Sequence, residues 1–179
     1  MPFIEGDVVV RQLDARFWET VEPLEYRGAY ETFLVPAKFR TDFASVPRPF
    51  VWLLPSYGDY TKSAILHDYM LKNPAVTRYD ADGLFRRSMR ELGVSFARRW
   101  VMWAAVRAAA RLSGSRLRDV LIWLAVAIPT AAFVIVPAAV ILVWLTLFWL
   151  IEYVFYLVLR PAGERQRNKP QLEVTTASS

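Results

Sequence analysis

VLIWLAVAIPTAAFVIVPAAVILVWLTLFWLI, residues 120–151, is a run of 32 residues without a charge. Glu152 is the one charged residue between Asp119 and Arg160. As one helix the stretch from Val120 to Leu159 would be about 60 Å long, at about 1.5 Å per residue. A bilayer's hydrocarbon core is about 30 Å thick and takes about 20 residues to cross. No soluble domain of this size could bury such a segment, so the sequence predicts a membrane protein.

Charge around the segment bears on its topology. Residues 1–97 carry a balance of −1, whereas residues 98–179 carry +6. Arg98, Arg99, Arg107, Arg111, Arg116 and Arg118 precede the apolar run, and Arg160, Arg165, Arg167 and Lys169 follow it. Lys and Arg mark the side of a membrane that stays cytoplasmic. Basic residues on both flanks favour an even number of crossings, namely a hairpin of spans 119–136 and 138–159 turning near Pro137. The alternative is one long helix kinked at Pro129 and Pro137. The same arginines explain the pI of about 9.7. Their place beside a membrane segment implies a bilayer with anionic lipid headgroups as partner, and no nucleic acid. The N-terminus lacks the basic start and apolar core of a secretion signal. The expected location is therefore the inner (cytoplasmic) membrane, with the soluble domain in the cytoplasm. The absence of cysteine excludes disulfides and thiolate metal sites.

The expected fold class is α+β. Residues 1–115 form a soluble domain, 116–160 the transmembrane part, and 161–179 a polar, disordered tail. In the soluble domain, β-branched and aromatic runs at 7–13, 17–24 and 30–39 predict a small antiparallel β meander. Three prolines between Thr41 and Tyr60 impose an aromatic-rich loop. Three helices follow. Thr61–Lys72 is apolar all round and ends at Asn73-Pro74, and the second is capped by Asp80 and runs to Leu92, with Gly93 at its C′ position. The third runs from a Ser95 cap to Leu112, with Trp100 and Trp103 facing either the membrane surface or the core.

The chemistry centres on His67, the chain's single histidine, beside Asp68 on the first helix. Adjacent helical residues point about 100° apart, so the two side chains face different partners. Asp82, in the first turn of the next helix, can reach His67 and fix its tautomer, leaving the other nitrogen as a base. Asp42, in the loop Thr41-Asp42-Phe43-Ala44-Ser45-Val46-Pro47, offers a carboxylate together with main-chain carbonyls, the oxygen ligands that calcium prefers. A plain structural role for each residue is the competing reading: a satisfied core histidine, a dipole-favoured Asp82, and a turn capped by Asp42 and Ser45.

Residues 39–47, Pro55-x-x-Gly58-x-Tyr60 and Ala64-Ile65-Leu66-His67-Asp68-Tyr69 resemble a phage and bacterial family, domain of unknown function 1353. Arg78, Ala81-Asp82, Phe85, Met89, Gly93 and Ala105-Val106-Arg107 extend the resemblance over residues about 33–110. It implies phage or prophage origin, with phage structural proteins or host membrane proteins as partners and association with a virion as an alternative location. The order of an Asp loop, His-Asp on a helix and Asp on the next helix is also similar to small bacterial and fungal phospholipases A2. That resemblance implies His67 as catalytic base, Asp82 as its orienting residue, and Asp42 and Asp68 as ligands of Ca2+. Those enzymes rely on disulfides, which this chain cannot form. Two main functions follow: a membrane-anchored accessory protein of phage type, and a calcium-dependent lipid ester hydrolase. A third, a lysis or membrane-perturbing protein, rests on the hairpin alone.

Overall fold

The computed structural model describes residues 3, 7–28, 31–44, 46, 48–110, 112, 114–159 and 169–171. Ser45, Pro47, Arg111, Ser113, Arg160, Arg165 and Arg167, and the tail beyond Gln171, lie outside the described residues.

Five short strands open the chain: β1 Val10–Gln12, β2 Trp18–Thr20, β3 Leu24–Arg27, β4 Thr32–Val35 and β5 Arg40–Thr41. They do not form one meander. β1, β2 and β5 make an antiparallel sheet in that order, while β3 and β4 pair separately. The break follows from a contact between residues distant in the chain. Thr20 turns its hydroxyl to the Pro36 carbonyl and accepts from the Phe39 amide, so the chain after β4 returns beside β2. Trp18 then pairs with Thr41, which places the start of the Asp42 loop.

The helices follow: α1 Thr61–Lys72, α2 Arg78–Glu91 and α3 Phe96–Ala109. α1 has no apolar stripe because it separates two cores. Ile65, Leu66 and Met70 pack with Tyr26, Val35 and Phe43 below the strands. Ala64 packs with Val46, Leu54, Phe85 and Met102 on the other side. A helix buried on both faces reads as apolar all round, although Leu71 stays exposed at its end. α2 approaches α1 closely through small residues, with the Ser88 hydroxyl donating to Ser63 Oγ at 2.9 Å.

The helix ends correct two expectations. The cap of α2 is Thr77 rather than Asp80. Thr77 Oγ1 accepts from the Asp80 amide at 3.1 Å and donates to Asp80 Oδ2 at 2.6 Å. Thr77 is thus the side-chain cap, and Asp80 at the third helical position meets the cap's own hydroxyl. Ser95 occupies the N-cap of α3, yet its side chain makes no capping bond. Gly93 does adopt the left-handed conformation expected of it, at φ 78°.

α4, Leu117–Leu159, is one continuous helix with Pro129 and Pro137 inside it. It is long and apolar enough to cross a membrane. Its first part packs on the rest of the protein: Trp123 Nε1 donates to the Ala104 carbonyl at 2.9 Å, and Val134 and Ala138 are buried.

Removing the Thr77 cap tests this account of α2. Thr77→Ala should lower stability by about 1 kcal/mol, whereas Thr77→Ser should retain most of it. Thermal unfolding of both variants in detergent measures the difference.

Candidate active site

Asp82 lies in the second turn of α2 and is 1% exposed. A carboxylate cannot be left there without partners. One oxygen, Oδ1, lies 2.8 Å from His67 Nε2 on α1. The other, Oδ2, accepts from Arg107 on α3 at 3.1 Å. One acid therefore ties three helices together. Arg107 is itself 1% exposed, bonds the Ser115 hydroxyl and lies over the Tyr79 ring at 5.2 Å. Charge counting placed Arg107 in the basic collar beside the membrane. The structure corrects that: it is a core residue, and the counter-ion of Asp82.

This pairing fixes the imidazole. A carboxylate engaged by Arg107 accepts, so Nε2 of His67 carries the proton and Nδ1 keeps a lone pair when the ring is neutral. Phe85 holds one face of the ring, with centroids 4.8 Å apart. Nδ1 has no partner among the described residues. His67 forms part of the wall of a cleft of about 280 Å³ bounded by the Asp42 loop, α1, α2 and α3. Asp42, Asp68 and Asp82 also line this cleft, among apolar side chains that include Val46, Leu54, Phe85, Met102 and Val106. All four residues singled out from the sequence thus meet at one cavity.

Asp68 faces a different partner from His67, as adjacent helical positions require. Thr41 Oγ1 donates to Asp68 Oδ2 at 2.5 Å and accepts from the Phe43 amide at 3.0 Å. This bracing accompanies a left-handed Phe43, at φ 57°, a conformation that costs a non-glycine residue energy. The Asp42 loop is thereby bent over the cleft. Burial pushes the Asp68 carboxyl up from 3.8 to about 6. The Thr41 bond opposes that shift, and the neighbouring charge of Asp42 adds to it. Thr41 was missed as a site residue, although it stood in the quoted loop motif. Arg107 was missed too, although it ended the Ala105-Val106-Arg107 match.

The donor set does not fit calcium. That ion takes six to eight oxygens, several of them carboxylates. Here Asp68 is engaged by Thr41, and Asp42 Oδ2 lies 3.6 Å from the Arg16 guanidinium, which already supplies a positive charge. Among the described residues no group of three or more His, Asp or Glu side chains could hold a metal ion.

Residues 18–106 match the family model described as protein of unknown function (DUF1353). No curated protein and no solved structure matches the chain.

Two substitutions and a titration test this site. Arg107→Met strands a buried carboxylate and should cost about 3–5 kcal/mol in a denaturant titration. Asp68 binds its proton more tightly in the folded chain, so stability from this group is lost as pH rises from 3.8 through about 6. Asp68→Asn should accordingly stabilise the fold by about 2 kcal/mol above that window, with partial solvent exposure keeping the gain small. Near pH 4 the substitution should give no gain. Calcium up to several millimolar should leave the melting temperature unchanged, because a bound ion would raise it.

Proposed function

We propose, taking as premise that residues 18–106 belong to the DUF1353 family, that the chain is a membrane-anchored hydrolase of lipid esters. The cleft at His67 is the observation that carries this reading. It joins an oriented imidazole to an apolar cavity, on a chain whose α4 is long and apolar enough to anchor it in lipid.

In this mechanism water sits at His67 Nδ1. The imidazole takes a proton as the water oxygen attacks the ester carbonyl. Collapse of the tetrahedral intermediate breaks the bond to the alkoxy oxygen, and that oxygen leaves as an alcohol. Its proton comes from Asp68, whose carboxyl burial pushes up to about 6, and the imidazolium then gives its proton to solvent. Asp82 holds the ring's orientation and meets the imidazolium charge, while Arg107 holds Asp82. No calcium takes part. Anchoring keeps the cleft near its substrate and raises the effective concentration.

A second reading has one specific observation in its favour. His67, Asp82 and Arg107 are all buried and come from three different helices, which suits a polar lock that fixes the fold. The chain is then an anchored accessory protein of phage or prophage type without catalysis.

Vesicle hydrolysis separates the two readings. The full chain in phospholipid vesicles should release fatty acid, and His67→Gln should abolish release while the chain still unfolds cooperatively. The rate should fall as pH rises above about 6, where Asp68 loses its proton, and Asp68→Asn should remove that limb. Wild-type protein that releases no fatty acid, together with a destabilised His67→Gln, leaves only the polar lock.

A further inference from the structure

Arg48-Pro-Phe-Val-Trp-Leu-Leu-Pro55 is an apolar loop that begins with one 3-10 turn, Arg48–Phe50. Its inner residues have structural work: Pro49 and Leu54 are buried, and Leu54 lines the cleft. Trp52 is turned outward and is 46% exposed. The loop packs not on the rest of the head alone but on α4. The rings of Trp52 and Phe133 lie 6.1 Å apart, and Val134 and Ala138, one and five residues further along the helix, are buried.

At the far end of α4 the chain marks a second level. Trp149, Tyr153 and Tyr156 stack in succession, with centroids 5.5 and 6.2 Å apart. Lys169 lies over the Tyr153 ring at 5.8 Å, and Trp149 Nε1 donates to the Pro170 carbonyl at 3.1 Å. A lysine does not lie in hydrocarbon, and stacked Trp and Tyr side chains favour the membrane–water boundary. From Phe133 to Tyr153 a helix rises about 30 Å, the thickness of one hydrocarbon core.

We infer that α4 crosses the bilayer once, between about Phe133 and Tyr153, and that the Trp52 loop is a second membrane contact that dips into the headgroup boundary beside it. This rests on the membrane-anchored reading and adds to it. The occupant of the exposed loop face is lipid, because the loop is continuous with the helix face that enters the bilayer. Trp52 supplies an amphipathic ring of the kind enriched at that boundary, and the exposed Arg48 lies at the level of lipid phosphates. α4 upstream of Phe133 keeps apolar residues such as Leu121 and Ile128 on its outer face, as a helix does where it enters a bilayer at a tilt. Since the loop also walls the cleft, the opening at His67 is held against the lipid surface. Lys169 emerges on the opposite side of the membrane from the strands.

The chain has no cysteine, so a thiol-reactive environment-sensitive fluorophore can be placed at will. Single variants Trp52→Cys, Leu53→Cys, Trp144→Cys and Glu22→Cys, in the full chain reconstituted into vesicles, give the test. The probes at 52 and 53 should brighten severalfold and be quenched best by a spin label near the headgroup. The probe at 144 should be quenched best by a label deep in the acyl chains, and that at 22 by neither. A membrane-impermeant thiol reagent should reach Lys169→Cys and Glu22→Cys from opposite faces. Probes at 52 and 53 that behave like the one at 22 overturn the second contact, and cysteines at 169 and 22 labelled from one face overturn the single crossing. A water-exposed probe at 144 overturns the anchoring reading itself. None of these readouts depends on turnover, so failure of the hydrolase reading is distinguished from failure of this one.

Discussion

A carboxylate in a dry interior must be met on both oxygens, and Asp82 is met from two directions by His67 and Arg107. Taking either partner away leaves a charge that water cannot reach. The requirement acts on backbone geometry. α1, α2 and α3 each contribute one of the three side chains, so their relative rotation is set by bonds about 3 Å long rather than by apolar contact alone. The orientation of the imidazole follows from the same bonds. So does the direction in which its second nitrogen points, without a partner among the described residues.

The loop that faces this assembly is held by a different polar device. Thr41 is buried and serves two masters, the Asp68 carboxylate and the Phe43 amide. Pairing of β5 with β2 fixes Thr41, so the sheet places the cleft wall through one hydroxyl. Asp68 sits beside Asp42 in partial burial, which explains a carboxyl that titrates near 6. Burial of this carboxyl costs stability once it ionises, while the Thr41 bond offsets part of that cost.

Much of this was legible in residue order. α1 ends where Asn73-Pro74 forbids another turn, Gly93 closes α2, and the short connection between those helices brings Asp82 within reach of His67. These are local rules. What was not legible depends on partners distant in the chain. Arg107 resembled its neighbouring arginines because charge counts carry no information about direction, and only the packing of α3 against α2 turns it inward. The strand pattern suggested one meander, since nothing local announces that Thr20 will recruit the chain around Pro36 and Phe39.

The apolar run poses a problem of length rather than of class. At 43 residues α4 is about twice what one crossing needs, and a hairpin is one way to use the surplus. Docking is another. Trp123 is bonded to α3 and the helix packs on the Arg48–Phe50 turn, so that part of the rod is partnered by protein on one side. Only the remainder must find lipid on every side. A proline is tolerated inside a helix when neighbouring groups satisfy the freed carbonyl, and Pro129 and Pro137 both fall in or beside this docked portion. Hydropathy measures how greasy a segment is. It does not say which neighbour will cover it, and here Val134 and Ala138 are buried while Leu121 and Ile128 stay exposed.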